Sequence, residues 1–271
     1  MPDLPKEKTK IQPDFYTYEW LLYGEPKVGK TAVTSCIPGV LHISTDPIQG
    51  GLEYHVVKVN KWADFLDVIK KLETEDHPFI RFVIDRVDGL YDMAFRKVCK
   101  SLGIDHPSEE AYGKGWDAVS KELQEGLNRI RALGTTWFLC AAKVNEIETR
   151  SGNKKRKLGP WLSGGFSAWL TGQVDQIAYM GYAEDSGPAI EQGERIIVLS
   201  GDDTIVAGGR LLKTNFHLKG TNQPLVGIKA GNSHEEAFDS LLIAWENEYD
   251  VDISIPKINV AKKFVNKKKE K

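Results

Sequence analysis

Residues Gly24-Glu25-Pro26-Lys27-Val28-Gly29-Lys30-Thr31 match the P-loop pattern G-x-x-x-x-G-K-[ST] in full. The motif constrains the fold because it works only at the junction of a buried strand and a helix. Trp20-Leu21-Leu22-Tyr23 reads as that strand, and Thr31-Ala32-Val33-Thr34-Ser35-Cys36 is suited to open the helix. Gly24 and Gly29 allow backbone angles that turn successive N–H groups inward around phosphate oxygens. The whole stretch, Gly24, Glu25, Pro26, Lys27, Val28, Gly29, Lys30 and Thr31, is therefore the expected nucleotide-binding loop. Lys30 is expected to reach the β and γ phosphates of ATP, and Thr31 to ligate Mg²⁺.

The rest of the chain follows this start with alternating strands and helices. Val40 to Asp46 alternates apolar and polar residues and reads as a second strand. Asn60 is the expected cap of a helix carrying Trp62, Phe65, Leu66, Ile69 and Leu72 at helical spacing. Phe79 to Asp85, Trp137 to Ala142 and Gln176 to Met180 are the mostly apolar runs of a buried parallel sheet. Helices are expected from about 90 to 102 and from 116 to 133, the latter with Trp116, Val119, Leu123, Leu127 and Ile130 on its apolar stripe. Beyond these, Arg195 to Leu199, the turn at Gly201-Asp202-Asp203, Thr204 to Val206 and Arg210 to Lys213 read as an antiparallel extension over about 194–220. Ser233-His234-Glu235-Glu236 is a capping box for a final helix.

With 271 residues, 41% of them hydrophobic, the chain has enough apolar material for one large core or one core plus a small accessory unit. No apolar run approaches the roughly 18 residues of a membrane span, and the first residues lack the apolar segment of a secretion signal, so a cytoplasmic location and no membrane partner are expected. Cys36, Cys99 and Cys140 sit far apart among apolar residues, as buried thiols do. Residues 254–271 hold seven lysines and one glutamate, a charge of +6, which leaves −8 on residues 1–253 of a chain whose total is −2. The expected organisation is an N-terminal arm over 1–17, the P-loop domain over 18–250 and a lysine-rich tail over 251–271.

Asp85 ends an apolar strand, where a P-loop protein needs its second metal-side carboxylate, with Asp88 as the competitor three residues on. Asp46 ends the second strand and is placed to orient or deprotonate an attacking water, with Glu53 as the alternative. Lys143 and Asn145, past the fourth strand, are candidate sensors of the γ phosphate. The segment from Arg150 to Phe166 gathers Arg150, Lys154, Lys155, Arg156 and Lys157 with four glycines and the aromatics Trp161 and Phe166. A flexible loop of that composition suits a phosphate backbone with bases stacked on the rings, a combination matched to single-stranded DNA.

In the order of these parts the chain resembles the RecA-like core ATPases, and most closely a phage group of nucleotide-binding or single-strand annealing proteins. The likeness covers about residues 18 to 220. It rests on Tyr23-Gly24 through Thr31, Ile43-Ser44-Thr45-Asp46 with Gly50-Gly51-Leu52, Val83-Ile84-Asp85 with Val87-Asp88-Gly89-Leu90-Tyr91, and Tyr112-Gly113-Lys114-Gly115-Trp116. The resemblance implies an α/β RecA-like P-loop NTPase with a mainly parallel central sheet, helices on both faces and an antiparallel edge extension. It also implies that residues 146–165 form a DNA-binding loop, and that the nucleotide lies between subunits of a ring or filament. Arg210, Lys213 and Lys219 are then the candidate cations offered to a neighbour. The chain departs from the group in carrying Asp46 where a glutamate is usual, and Lys143 where a histidine or glutamine is usual.

These readings converge on a DNA-dependent ATPase that binds single-stranded DNA and promotes annealing or strand exchange in phage recombination, with a single-strand DNA-binding protein as partner. A helicase or packaging-type motor, and a module in which ATP only switches DNA or protein binding, are the alternatives. A metabolic kinase fits less well, since no lid-like arginine cluster is visible.

Overall fold

The computed structural model describes residues 14–148, 154–184, 190–210 and 227–253. Arg150, Lys213, Lys219 and the tail from 254 onward, all singled out above, lie outside the described residues.

The apolar runs form the strands of a central sheet. Strand β1 (Trp20–Gly24) leads through the P-loop into α1 (Lys30–Ser35), followed by β2 (Val40–Ser44), β3 (Val56–Lys58), α2 (Trp62–Thr74), β4 (Arg81–Asp85) and α3 (Val87–Leu102). Helix α4 (Lys114–Leu133), β5 (Thr135–Glu148), β6 (Lys154–Pro160), α5 (Gly164–Gln173) and β7 (Gln176–Tyr182) follow. The chain continues through β8 (Arg195–Val198), β9 (Gly208–Gly209), β10 (Ile228–Lys229) and α6 (His234–Tyr249). The sheet order is β10-β8-β7-β1-β5-β4-β2-β3. β1 lies parallel between β5 and β7, with Trp20 opposite Trp137 and Gln176, and β4 lies parallel between β5 and β2. Strands β8, β9 and β10 are antiparallel. The fold is thus a mainly parallel α/β P-loop fold with an antiparallel edge, as the RecA-like reading expects.

Side chains alternate across the sheet and fill two cores. Leu21, Tyr23, Phe82, Ile84, Phe138 and Cys140 pack beneath α2, α3, α4 and α5. On the other face Trp20, Leu22, Val83, Trp137 and Leu139 meet α1 and α6. The rings of Trp20 and Trp137 stack across neighbouring strands with centroids 4.8 Å apart. Phe15 and Tyr16, placed in the N-terminal arm by the sequence, are buried in this second core, with Phe15 against Trp20 and Trp245.

Four local expectations are corrected. The cap of α2 is Lys61, not Asn60, because the Asp64 carboxylate accepts both the Asn60 and Lys61 N–H groups. Trp116 is partly exposed at the start of α4 and packs edge-on to His106, outside the buried stripe. Cys36 is only partly buried, whereas Cys99 and Cys140 are buried. Thr204 to Val206 does not pair with β8. Asp202 accepts the Thr204 and Ile205 N–H groups and closes a tight turn, and the returning chain crosses to Leu158 at the end of β6.

Candidate nucleotide-binding site

The P-loop is held open by two glycines for different reasons. A Cβ on Gly24 would lie 1.9 Å from the Met180 carbonyl oxygen, so the closeness of β1 to β7 leaves room only for glycine. Gly29 has φ +106°, in the left-handed region, and Lys27 also has positive φ. Glu25, Pro26 and Lys27 are exposed at the loop tip, while Val28 anchors it in the core. Behind Gly29 stands Arg195, whose Nη2 donates to the carbonyls of Ala230, Gly231 and Ser233 and so braces the loop against the antiparallel edge.

Lys30 is 8% exposed. Its ammonium donates to the carbonyls of Gly24 at 2.9 Å and Glu25 at 2.7 Å. Burial pushes its pKa down, against the pull of Cys140 and Asp85. Among the described residues no carboxylate makes an ion pair with it. A desolvated cation satisfied only by neutral carbonyls is chemically suited to an incoming phosphate. Next to it, Thr31 Oγ1 donates to Asp85 Oδ2 at 2.7 Å, joining α1 to the carboxyl end of β4. Burial raises the Asp85 pKa, with the Thr31 hydrogen bond opposing. One hydroxyl and one buried carboxylate facing each other beside the loop fit a hard cation such as Mg²⁺ with its remaining ligands from phosphate and water.

The ends of β2 and β4 are tied together. The Thr45 N–H donates to the Asp85 carbonyl at 2.7 Å and the Arg86 N–H to Thr45 Oγ1 at 3.2 Å. Gly89 is required here, since a Cβ would meet Thr45 Oγ1 at 2.4 Å. This brings Asp46 to the site's edge, half-exposed, with its Oδ2 3.4 Å from Arg86 Nε. Asp88, in the first turn of α3, pairs with Arg86 Nη2 at the same distance. Burial raises the Asp88 pKa, against the nearby Arg86 charge. Glu53 is exposed. Arg86, Asp88, Tyr91, Lys143 and Trp161 line a cleft of about 450 Å³ next to this cluster. Lys143 is exposed at its rim, and Asn145 lies further out on β5.

Sequence reasoning missed Arg86 and Arg195. A cation directly after the strand-ending Asp85, with carboxylates at 46 and 88, was the available signal for Arg86.

Residues 154–160 of the basic segment form a strand rather than a loop. The outer half of β5 leaves the sheet and pairs antiparallel with β6, placing Lys154, Lys155, Arg156 and Lys157 on a strand of a two-stranded ribbon. Its register sets Glu146 opposite Arg156 and Glu148 opposite Lys154. Lys155 pairs with Asp203, and Arg156, 80% exposed, lies 3.8 Å from Glu146. Trp161 is 55% exposed at the ribbon's base. Phe166 is not available for stacking on bases. It is 1% exposed on α5, packed between Tyr91 and Trp169, because α5 docks on the core by that side. The Tyr23 hydroxyl, one residue before the P-loop, donates to the Val206 carbonyl at 2.7 Å and the Leu158 carbonyl at 3.1 Å, fastening the ribbon's base to β1. Arg210 lies by Asp175 at the amino end of β7, away from this chain's own P-loop.

A P-loop ahead of α1, faced across one strand by a buried aspartate, defines a P-loop nucleotide-binding protein of the ATPase type. Residues 17–211 match the family described as AAA domain, and the chain belongs to that family. No curated protein shows significant similarity to the chain. Among solved structures it is similar to a KaiC-like protein from the hyperthermophilic archaeon Pyrococcus horikoshii OT3, with 11% identity over 79% of this chain and 85% of that one, and a TM-score of 0.41. No described helix is long and apolar enough to cross a membrane.

Proposed function

We propose that this protein is an ATP-hydrolysing, RecA-like P-loop protein that binds single-stranded DNA along the β5–β6 ribbon and promotes annealing or strand exchange in phage recombination. The observation that supports this most is the path of one strand. β5 runs from its place between the P-loop strand and the Asp85 strand straight into the basic ribbon.

In this reading Lys30 and the P-loop N–H groups bind and orient the phosphates of ATP, and Thr31 and Asp85 hold Mg²⁺. Held by these residues, Mg²⁺ would neutralise phosphate charge and polarise the bond to be broken. Asp46 orients a water and takes its proton. Arg156, Lys154 and Lys157 attract the DNA backbone, and Trp161 offers a ring to a base. Assembly through a neighbour's cations, Arg210 foremost among the described candidates, and cooperation with a single-strand DNA-binding protein belong to the same proposal.

Fluorescence anisotropy of a labelled oligonucleotide tests it. Replacing Lys154, Lys155, Arg156 and Lys157 with alanine is expected to weaken binding and flatten its salt dependence, each lost phosphate contact removing about 0.7 from the logarithmic slope on a single strand. Unchanged affinity and slope would remove the ribbon from the DNA site.

A further inference from the structure

Arg86 occupies an unusual position for a cation. It directly follows Asp85, its guanidinium lies between the carboxylates of Asp46 and Asp88, and both ion pairs are long, at 3.4 Å. Charge-assisted N–H···O contacts of good geometry are about 2.7–2.9 Å, so neither carboxylate grips Arg86 closely. The Nε atom is buried without a hydrogen-bond partner, and so is Asp88 Oδ1. The positive charge is also felt at the P-loop, where it disfavours protonated Lys30 and favours ionised Asp85. Across the carboxyl edge of the sheet the order is Gly24 on β1, then β5, then Asp85 at the end of β4 with Arg86 just after it, then Asp46 after β2. Arg86 therefore follows the metal-side carboxylate directly, and its guanidinium reaches Asp46 on the next strand end. Its charge is close enough to Lys30 to be felt there, which puts it within electrostatic reach of a phosphate chain bound at that lysine.

Resting on the nucleotide-binding reading, we propose that Arg86 is this chain's own reader of the third phosphate. Arg86 exchanges its loose pairing with Asp46 for the terminal phosphate of a nucleoside triphosphate, and in doing so frees Asp46 to orient water. A diphosphate leaves Arg86 with Asp46, which keeps that carboxylate engaged. Arg86 thus couples recognition of the triphosphate to the release of the water-orienting group within a single subunit. The free Nε donor and the two long ion pairs make the exchange inexpensive, because no short hydrogen bond is given up.

Equilibrium titration with fluorescent ADP and with a fluorescent non-hydrolysable ATP analogue, both with Mg²⁺, tests this without reference to turnover. Arg86→Ala is expected to weaken triphosphate binding about tenfold, the loss of one charge-assisted contact, while ADP affinity stays within about twofold. Arg86→Lys should recover part of the preference. Asp46→Asn, which removes the competing anion, should tighten triphosphate binding severalfold and leave ADP unaffected. An unchanged triphosphate-to-diphosphate ratio in Arg86→Ala, or equal weakening of both ligands, would overturn the inference while leaving the nucleotide site intact. Wild-type protein that binds neither nucleotide would overturn the nucleotide reading itself, and the role of Arg86 with it.

Discussion

The Thr31 hydroxyl donates to the Asp85 carboxylate at 2.7 Å across 54 residues of sequence, closing the P-loop helix onto the end of β4. Asp85→Asn keeps an acceptor for that hydroxyl but removes the charge. The variant is expected to fold, and to lose most of the difference between nucleotide affinity measured with Mg²⁺ and with a chelator. Equal Mg²⁺ dependence in both proteins would move the metal elsewhere.

Lys30→Ala removes a desolvated ammonium whose partners are two loop carbonyls. Stability without ligand should fall by about 1–3 kcal/mol, the cost of leaving those acceptors unmet, partly offset because the buried ammonium no longer has to be desolvated. Wild-type protein at a hundredfold excess of nucleotide over Kd should gain about 2.7 kcal/mol, and the variant nothing. Thermal melts with and without Mg²⁺-ATP read both quantities. A ligand-induced shift that survives the substitution would refute the role of Lys30.

Tyr23→Phe deletes the hydroxyl that binds the carbonyls of Leu158 and Val206. Leaving a buried acceptor unmet costs about 1–3 kcal/mol. The loss should appear locally, as faster amide exchange in 154–160 and 204–206 with β1 still protected. Unchanged exchange there would mean that pairing between β6 and residues 204–206 holds the ribbon by itself.

His42 is fully buried in β2 beside Tyr54, and burial pushes its pKa down to about 4, with the Thr34 carbonyl only partly opposing. Its folded pKa lies below the ordinary 6.5, so the neutral ring's contribution is intact above 6.5 and is lost as pH falls from there toward about 4. Inside that window one proton taken up on unfolding steepens stability by about 1.4 kcal/mol per pH unit. Chemical denaturation of His42→Leu should show the same slope as wild type above pH 7 and, between about pH 6 and 5, a slope shallower by about 1 kcal/mol per pH unit. An identical slope would assign the acid sensitivity to other groups.

The P-loop and the strands ending at Gly24 and Asp85 were legible in the sequence because their signals are local: two glycines at fixed spacing and apolar runs ended by polar residues. Strand β3, Val56–Lys58, is three residues long and carries no periodicity to read. The ribbon was hidden because a run of four cations has little strand preference of its own. It forms through pairing with the continuation of β5 and anchoring by Tyr23. Phe166, expected as a ring for stacking on bases, lies in the core because α5 docks there by that side, a tertiary contact that composition does not announce. Arg86 acquires its position only when Thr45 ties β2 to β4, a contact between residues 40 apart that no local pattern announces.

The central claim joins two properties in one molecule, a P-loop that turns over ATP and a ribbon that binds single-stranded DNA. ATP hydrolysis by the purified protein, measured with and without a single-stranded oligonucleotide, tests it most directly. The account predicts Mg²⁺-dependent turnover that rises severalfold with DNA and disappears in Lys30→Ala. Turnover indifferent to DNA, or no turnover while DNA is bound, would contradict it.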